Sequence, residues 1–243
     1  MKKYLILLIL LAWASTVQAG GIMMMAGDGG PYCTQTIVDL FNRADNTDLG
    51  ASWTEFPLDI NLAIVSTQLN APASAVSEVG IVGHTTALGG ATQYGRIDIV
   101  DTNTDARIEI MIRSEPTDGD PGYYLKCTPA GIEWNDASAT IQTSAAITCA
   151  DGMNIACLVK GTGIDTVMSV WANVTATVPW SGGTACTDTA KPCWDNAGDA
   201  PDVQFTNNPT AASDTDQGFG VFFFSGGAFT YIIDNVYGGY CSD

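Results

Sequence analysis

The stretch "FNRADNTDLGASWTEF", Phe41 to Phe56, decides how this chain is read. It opens on an aromatic residue followed by Asn-Arg-Ala-Asp, runs through a polar turn closed by Leu49-Gly50, and ends in Trp53-Thr54-Glu55. Phe41 and Trp53 offer large apolar areas to a core. Gly50 can take the positive φ that a tight turn demands. The segment is expected to close a fold and not to carry catalysis, with Arg43 pairing to a carboxylate, Asp45 or Asp234.

Upstream, Lys2 and Lys3 precede an apolar run, Tyr4 to Trp13, and Val17-Gln18-Ala19 follows. That is the pattern of a secretory signal peptide over residues 1–19. The run is about ten residues, too short to span a bilayer, and no later stretch is long enough either. Residues 20–35 begin as a Gly- and Met-rich lead-in, "GGIMMMAGDGGP". The remainder, residues 36–243, fits one large all-β domain better than two small ones. The formal net charge is −17 before the leader's two lysines are removed. Such a chain repels phosphate backbones, so nucleic acid is excluded as a partner. The acids give solubility, or carboxylates for a divalent cation; their number does not choose.

From Thr36 onward, short β-branched and aromatic runs alternate with Gly, Asn, Asp and Pro, as in an antiparallel sandwich. Strands are expected at 37–43, 52–56, 61–69, 78–84, 94–100, 107–114, 123–128, 131–135, 153–160, 166–173, 219–224 and 229–237. No apolar repeat of helical period persists over three turns. In "ARIEIMIRSE" the residues Ile108, Ile110 and Ile112 share one face, and Arg107, Glu109, Met111 and Arg113 the other. The first face joins the core. The second is either solvated surface or the floor of a groove. The insertion at about 175–213 is rich in Gly, Pro and Asp and carries Trp180 and Trp194. Those rings either stack on a ligand or plug the end of the sandwich.

Seven cysteines in an exported chain point to disulfides. Cys186 and Cys193 enclose a short loop whose spacing is unlike a zinc site, so a disulfide is expected there. Cys33 and Cys241 flank the domain. A bridge between them would stabilise by on the order of 4–5 kcal/mol in the chain-entropy view. Cys127, Cys149 and Cys157 leave at least one thiol over, with the pairing open.

"DLFNRADNTDLGASWTEF" resembles the entry segment of the concanavalin A-like lectin/glucanase superfamily, in its bacterial and phage laminin-G-like branch. "ARIEIMIRSEPTDGDPGYYLK", "GMNIACLVKGTGIDTVMSVWAN" and "DTDQGFGVFFFSGGAFTYIIDNVYGG" resemble its later strands in the same order. The resemblance implies a two-sheet antiparallel jelly roll with first and last strands side by side, consistent with Cys33 meeting Cys241. It also implies that a structural Ca²⁺ is plausible, held by Asp39 with Asp234 or by Asp118 with Asp120.

Glycoside hydrolases share this fold, and their retaining members need two carboxylates about 5–5.5 Å apart. Here Glu109 and Glu115 share a strand face but stand roughly 20 Å apart. His84, the single histidine, has no nucleophile motif beside it. The expectation is therefore a secreted, non-catalytic carbohydrate-binding or adhesion domain. Its sugar would meet Arg113, Tyr124, Trp134, Trp171 and Trp194, with Glu109 as a polar partner. The alternative is a structural sandwich bound to a surface protein on a virion or cell envelope.

Overall fold

The computed structural model describes residues 33–56, 62–71, 78–90, 92–101, 107–114, 122–136, 139–175, 179, 201–206, 218–225 and 231–241. Residues 1–32, Cys186 and Cys193 with the residues between them, Trp180, Trp194, Asp118 and Asp120 lie outside these residues.

Two antiparallel sheets account for every strand described. The eight-stranded sheet contains β1 (Cys33–Asp39), β3 (Ala63–Val65), β4 (Gln68–Ala71), β6 (Thr92–Asp101), β11 (Asn154–Lys160), β12 (Val167–Ala172), β13 (Val203–Phe205) and β15 (Tyr231–Cys241). The seven-stranded sheet contains β2 (Trp53–Phe56), β5 (Glu78–His84), β7 (Arg107–Ser114), β8 (Tyr123–Thr128), β9 (Gly131–Asp136), β10 (Ala139–Ser144) and β14 (Gly218–Ser225). A 3-10 turn at Gly163–Asp165 is the one helical element among the described residues.

Period-two alternation builds the core. Ile108, Ile110 and Ile112 of β7 lie beside Phe219, Val221 and Phe223 of β14. Ile97 and Ile99 of β6, Cys157 and Val159 of β11, and Met168 and Val170 of β12 join the same cluster from the other sheet. Burying each such aliphatic or aromatic side chain stabilises by about 1.5–3 kcal/mol before entropy is counted. The twelve expected strands are present, those at 78–84, 107–114 and 123–128 with the expected ends and the rest with shifted ones, and one of them is divided. Val65-Ser66-Thr67-Gln68 turns tightly inside the expected 61–69 strand, with φ of 53° and 66° at Ser66 and Thr67. Two short edge strands, β10 and β13, had no strong alternation to announce them.

The chain closes on itself. β1 runs antiparallel to β15, with Cys33 opposite Cys241 and Asp39 opposite Val236. Cys33 and Cys241 form a disulfide, and a Cβ on Gly239 would overlap the Thr34 carbonyl oxygen. The N-terminal part of β15 pairs with β4 on that same side, while β6 runs along its other edge. A second disulfide joins Cys127 to Cys149, and Cys157 is a buried free thiol.

Asp39, at the end of β1, organises the segment that leads to the other sheet. Its Oδ1 accepts from the Phe41 backbone N–H at 2.8 Å and from the Arg43 guanidinium at 2.7 Å. Its Oδ2 accepts from Arg43 at 3.0 Å and from Trp53 Nε1 at 2.6 Å. Arg43 also donates to the Leu49 carbonyl at 2.8 Å, and Gly50 turns the chain at φ 86°. The partner of Arg43 is thus Asp39, four residues earlier, and neither Asp45 nor Asp234. Asp45 is occupied in accepting from the Ser66 N–H at 2.8 Å.

Burial alone would raise the Asp39 carboxyl, but the bonds from Arg43, Trp53 and Phe41 outweigh it and hold the group below its ordinary value. Charged hydrogen bonds of this kind contribute about 1.5–3 kcal/mol. Asp39→Asn is expected to lower stability by about 2–3 kcal/mol at neutral pH in urea unfolding. Since the native value is the depressed one, that contribution is complete above the ordinary carboxylate range and fades as pH falls through the native value. The difference between wild type and Asp39→Asn should shrink below about pH 4; a gap that persists unchanged there removes the charge from the explanation. Replacing Cys33 and Cys241 together by Ser should cost about 4–5 kcal/mol in the same assay, and an unmoved midpoint would contradict the closure.

Candidate functional site

The outer faces of the two sheets differ in chemistry. On the eight-stranded sheet a second apolar cluster, Tyr94, Ala156, Leu158, Trp171, Val174 and Cys241, is buried, none of its members more than 6% exposed. The inner residues of the same strands belong to the main core, so this cluster lies on the opposite side of the sheet. Over β7 to β10 the outer face of the seven-stranded sheet is mainly polar instead.

Two rows of side chains cross that polar face at right angles to the strands. Glu109 of β7 stands opposite Lys126 of β8, which stands opposite Glu133 of β9, which stands opposite Thr143 of β10. Beside it run Met111, Tyr124, Asn135 and Thr140 in the same order of strands. Neighbouring strands are about 4.8 Å apart, so each row spans roughly 14 Å. The Lys126 ammonium donates to Glu133 Oε2 at 2.7 Å. The Thr140 hydroxyl donates to Asn135 Oδ1 at 2.7 Å, within 3.4 Å of Glu133 Oε2 as well. Glu109, Met111 and Asn135 are buried, Tyr124, Lys126 and Glu133 half-buried, and Thr140 and Thr143 exposed. The accessible part of the face therefore lies over β8, β9 and β10.

The residues expected to meet a sugar separate on this geometry. Glu109 and Tyr124 fall on the polar face. Trp134 does not: it is fully buried between the sheets, its ring 5.7 Å from Tyr123 and 6.3 Å from Phe205. Alternation explains the placement, since Trp134 follows Ile132 on the inner side of β9 and neither ring face is open for stacking. Trp171 is 2% exposed in the apolar cluster of the other sheet, so its ring is covered too.

Arg113 was expected beside Glu109 and is turned away by a bulge. Gly218 pairs with Ser114 and Phe219 with Ile112, which makes Arg113 the extra residue of β7. Its φ is 56°, and its guanidinium reaches the Gly161 carbonyl at 2.7 Å, passing 5.9 Å from the Tyr123 ring centroid. Arg113 therefore ties the seven-stranded sheet to the turn after β11. Lys126, Glu133, Asn135 and Thr140 were not singled out from the sequence. The alternation of "GIEWND" and "YYLKCT" held the signal, because the residues between the core positions share the outer side.

The expected metal ligands do not assemble around Asp39. All four lone-pair directions of its carboxylate are taken by the N–H groups of Phe41, Arg43 and Trp53, leaving none for a cation. Asp234 stands elsewhere, in a β15 bulge next to Asp98, and burial together with the Asp98 charge pushes its carboxyl up. Asp98 in turn accepts from Arg96 at 2.9 Å and from Asn235 at 2.8 Å. Among the described residues, no three His, Cys, Asp or Glu side chains are grouped to hold a metal ion. His84 packs edge-on against Trp53 at 4.9 Å, and its Nδ1 accepts from the Thr86 N–H at 3.1 Å. Burial holds its imidazole below the ordinary value, as suits a neutral structural side chain.

No protein-family model matches the chain, and no curated protein sequence does. Among solved structures, the metal-free carbohydrate recognition domain of Emp46p aligns with a TM-score of 0.51 at 7% identity, over 83% of this chain and 94% of that one. The metal-free exoplasmic/lumenal domain of VIP36 aligns with a TM-score of 0.48 at 10% identity, over 81% and 90%. The carbohydrate binding module CBM66 from Bacillus subtilis gives 0.45 at 10% identity, over 76% and 94%. At such identities the likeness speaks for architecture alone. The chain has the all-β, two-sheet antiparallel sandwich of the concanavalin A-like lectin fold.

Proposed function

We propose that this protein is a non-catalytic carbohydrate-binding domain whose ligand lies on the outer face of the seven-stranded sheet. The observation that carries the reading is the pair of cross-strand rows over β8 to β10, where Lys126, Glu133 and Thr140 present donors and acceptors from a rigid sheet and the buried Asn135 orients Thr140. Hydroxyl-rich ligands are fixed by convergent polar groups of this kind, with an aromatic side chain supplying apolar contact. Tyr124 supplies an aromatic side chain beside these rows on β8. With Trp134 and Trp171 buried, binding rests on hydrogen bonds more than on stacking.

That the Emp46p domain is a carbohydrate recognition domain agrees with this reading without fixing a ligand. The laminin-G-like assignment belongs to the same proposal and rests on the four matched stretches of sequence. So does export through residues 1–19 to the cell surface or beyond, where disulfides such as Cys33–Cys241 and Cys127–Cys149 persist.

The test is binding of the purified protein to immobilised polysaccharides of several classes. Tyr124→Ala and Thr140→Ala should each weaken retention about tenfold, a loss of about 1.4 kcal/mol. Val38→Ala, at an exposed position on β1 of the other sheet, should leave it unchanged. Folded variants that bind as tightly as wild type would move the ligand off this face. Cleavage of the bound sugar would overturn the non-catalytic part.

A further inference from the structure

We infer that the ligand of this face is an uncharged glycan, one without sulfate, phosphate, uronate or sialate groups; the inference rests on the binding reading above. On the accessible part of this face the ammonium of Lys126 is matched by the carboxylate of Glu133 on the neighbouring strand. That ammonium is already bonded to Glu133 at 2.7 Å, with its side chain only 17% exposed. An anionic group reaching Lys126 would have to displace a carboxylate and then sit beside it. The second cation expected here, Arg113, is withdrawn by the β7 bulge to the Gly161 carbonyl. Arg96 belongs to the other sheet and is held by Asp98.

The surrounding field has the same sign. The chain carries 26 acidic against 9 basic residues, a formal net charge of −17. Polyanions approaching such a surface are repelled over about 30 Å at roughly 10 mM salt and over about 10 Å at 100 mM. Hydroxyl groups meet no such barrier. Glu133 and the exposed hydroxyls of Thr140 and Thr143 present oxygen acceptors and a hydroxyl donor, which suits alternating donors and acceptors on an uncharged sugar.

The experiment uses the full mature protein on pairs of polysaccharides with the same backbone, one neutral and one sulfated or carboxylated, at about 10 mM and about 150 mM salt. The neutral member should bind at both. Its charged counterpart should bind about tenfold or more weakly at low salt, with the difference narrowing as salt rises. Glu133→Gln releases Lys126 and should narrow the low-salt difference severalfold. Equal or tighter binding of the charged member at low salt overturns the inference while leaving the binding face in place. Retention of neither member of any pair removes the binding reading itself, and this inference with it.

Discussion

Four N–H groups converging on the Asp39 carboxylate hold the first crossing of the chain between its two layers. Asp39 ends a strand of the eight-stranded sheet, while Trp53, which donates to it, begins a strand of the seven-stranded one. Between them Phe41 adopts φ 47°, a conformation that a bulky residue keeps only when its surroundings impose it. Here the imposition is visible: its N–H is bound to Asp39 and its ring is buried 6.0 Å from Trp53. His84 then extends the contact into β5 by packing its edge on the same indole. Without the carboxylate, a half-buried guanidinium, an indole N–H and a backbone N–H would all need new partners.

The opposite end of the polypeptide completes what that crossing starts. β15 is an interior strand with β6 along one edge, and with β4 and β1 sharing the other. Its bulge between Ile233 and Val236 sets aside Asp234 and Asn235, which places the Asn235 amide on Asp98 of β6. The eight-stranded sheet is therefore joined across the whole length of the domain, and the disulfide at Cys33 and Cys241 sits where its two ends meet. Gly95 of β6 lies so close to Phe219 that a Cβ would come within 2.6 Å of the ring. Closure of one sheet thus fixes how the other rests on it.

Strong alternation made most of this architecture legible. "ARIEIMIRSE" announced both its strand and its core face, and the fold class followed from a dozen such runs. What stayed hidden was geometry without a residue-type signal. Ser66 and Thr67 form a turn with positive φ but lack the Gly or Asn that marks one. Arg113 leaves its expected face through a bulge that pairing with Gly218 creates, and no pattern within β7 itself reveals a bulge. The chemistry of tryptophan suits contact with a sugar, yet Trp134 shares the parity of Ile132 and falls on the inside. The polar row had to be read between strands: Lys126 and Glu133 become partners only when the β8–β9 register is known.

The difference between the two outer faces then limits where a soluble ligand can be met. The eight-stranded sheet carries Tyr94, Leu158 and Trp171 on its outer side, all buried, so that side offers no polar surface at those positions. A shallow depression of about 550 Å³ does open at one end of the sandwich, lined by residues that include Asp151, Met153, Asn173 and Asp202. Asp202 is engaged there in accepting from the Ala172 N–H at 2.8 Å, a bond that holds the chain entering β13 to the end of β12. Its position is one of loop closure. Over β8 to β10 the polar groups instead project from paired strands whose spacing and register are set by backbone hydrogen bonds. Rigid presentation of aligned donors and acceptors lowers the entropy lost when a ligand is fixed. That physical advantage, and not the fold by itself, is the ground on which the seven-stranded face is proposed.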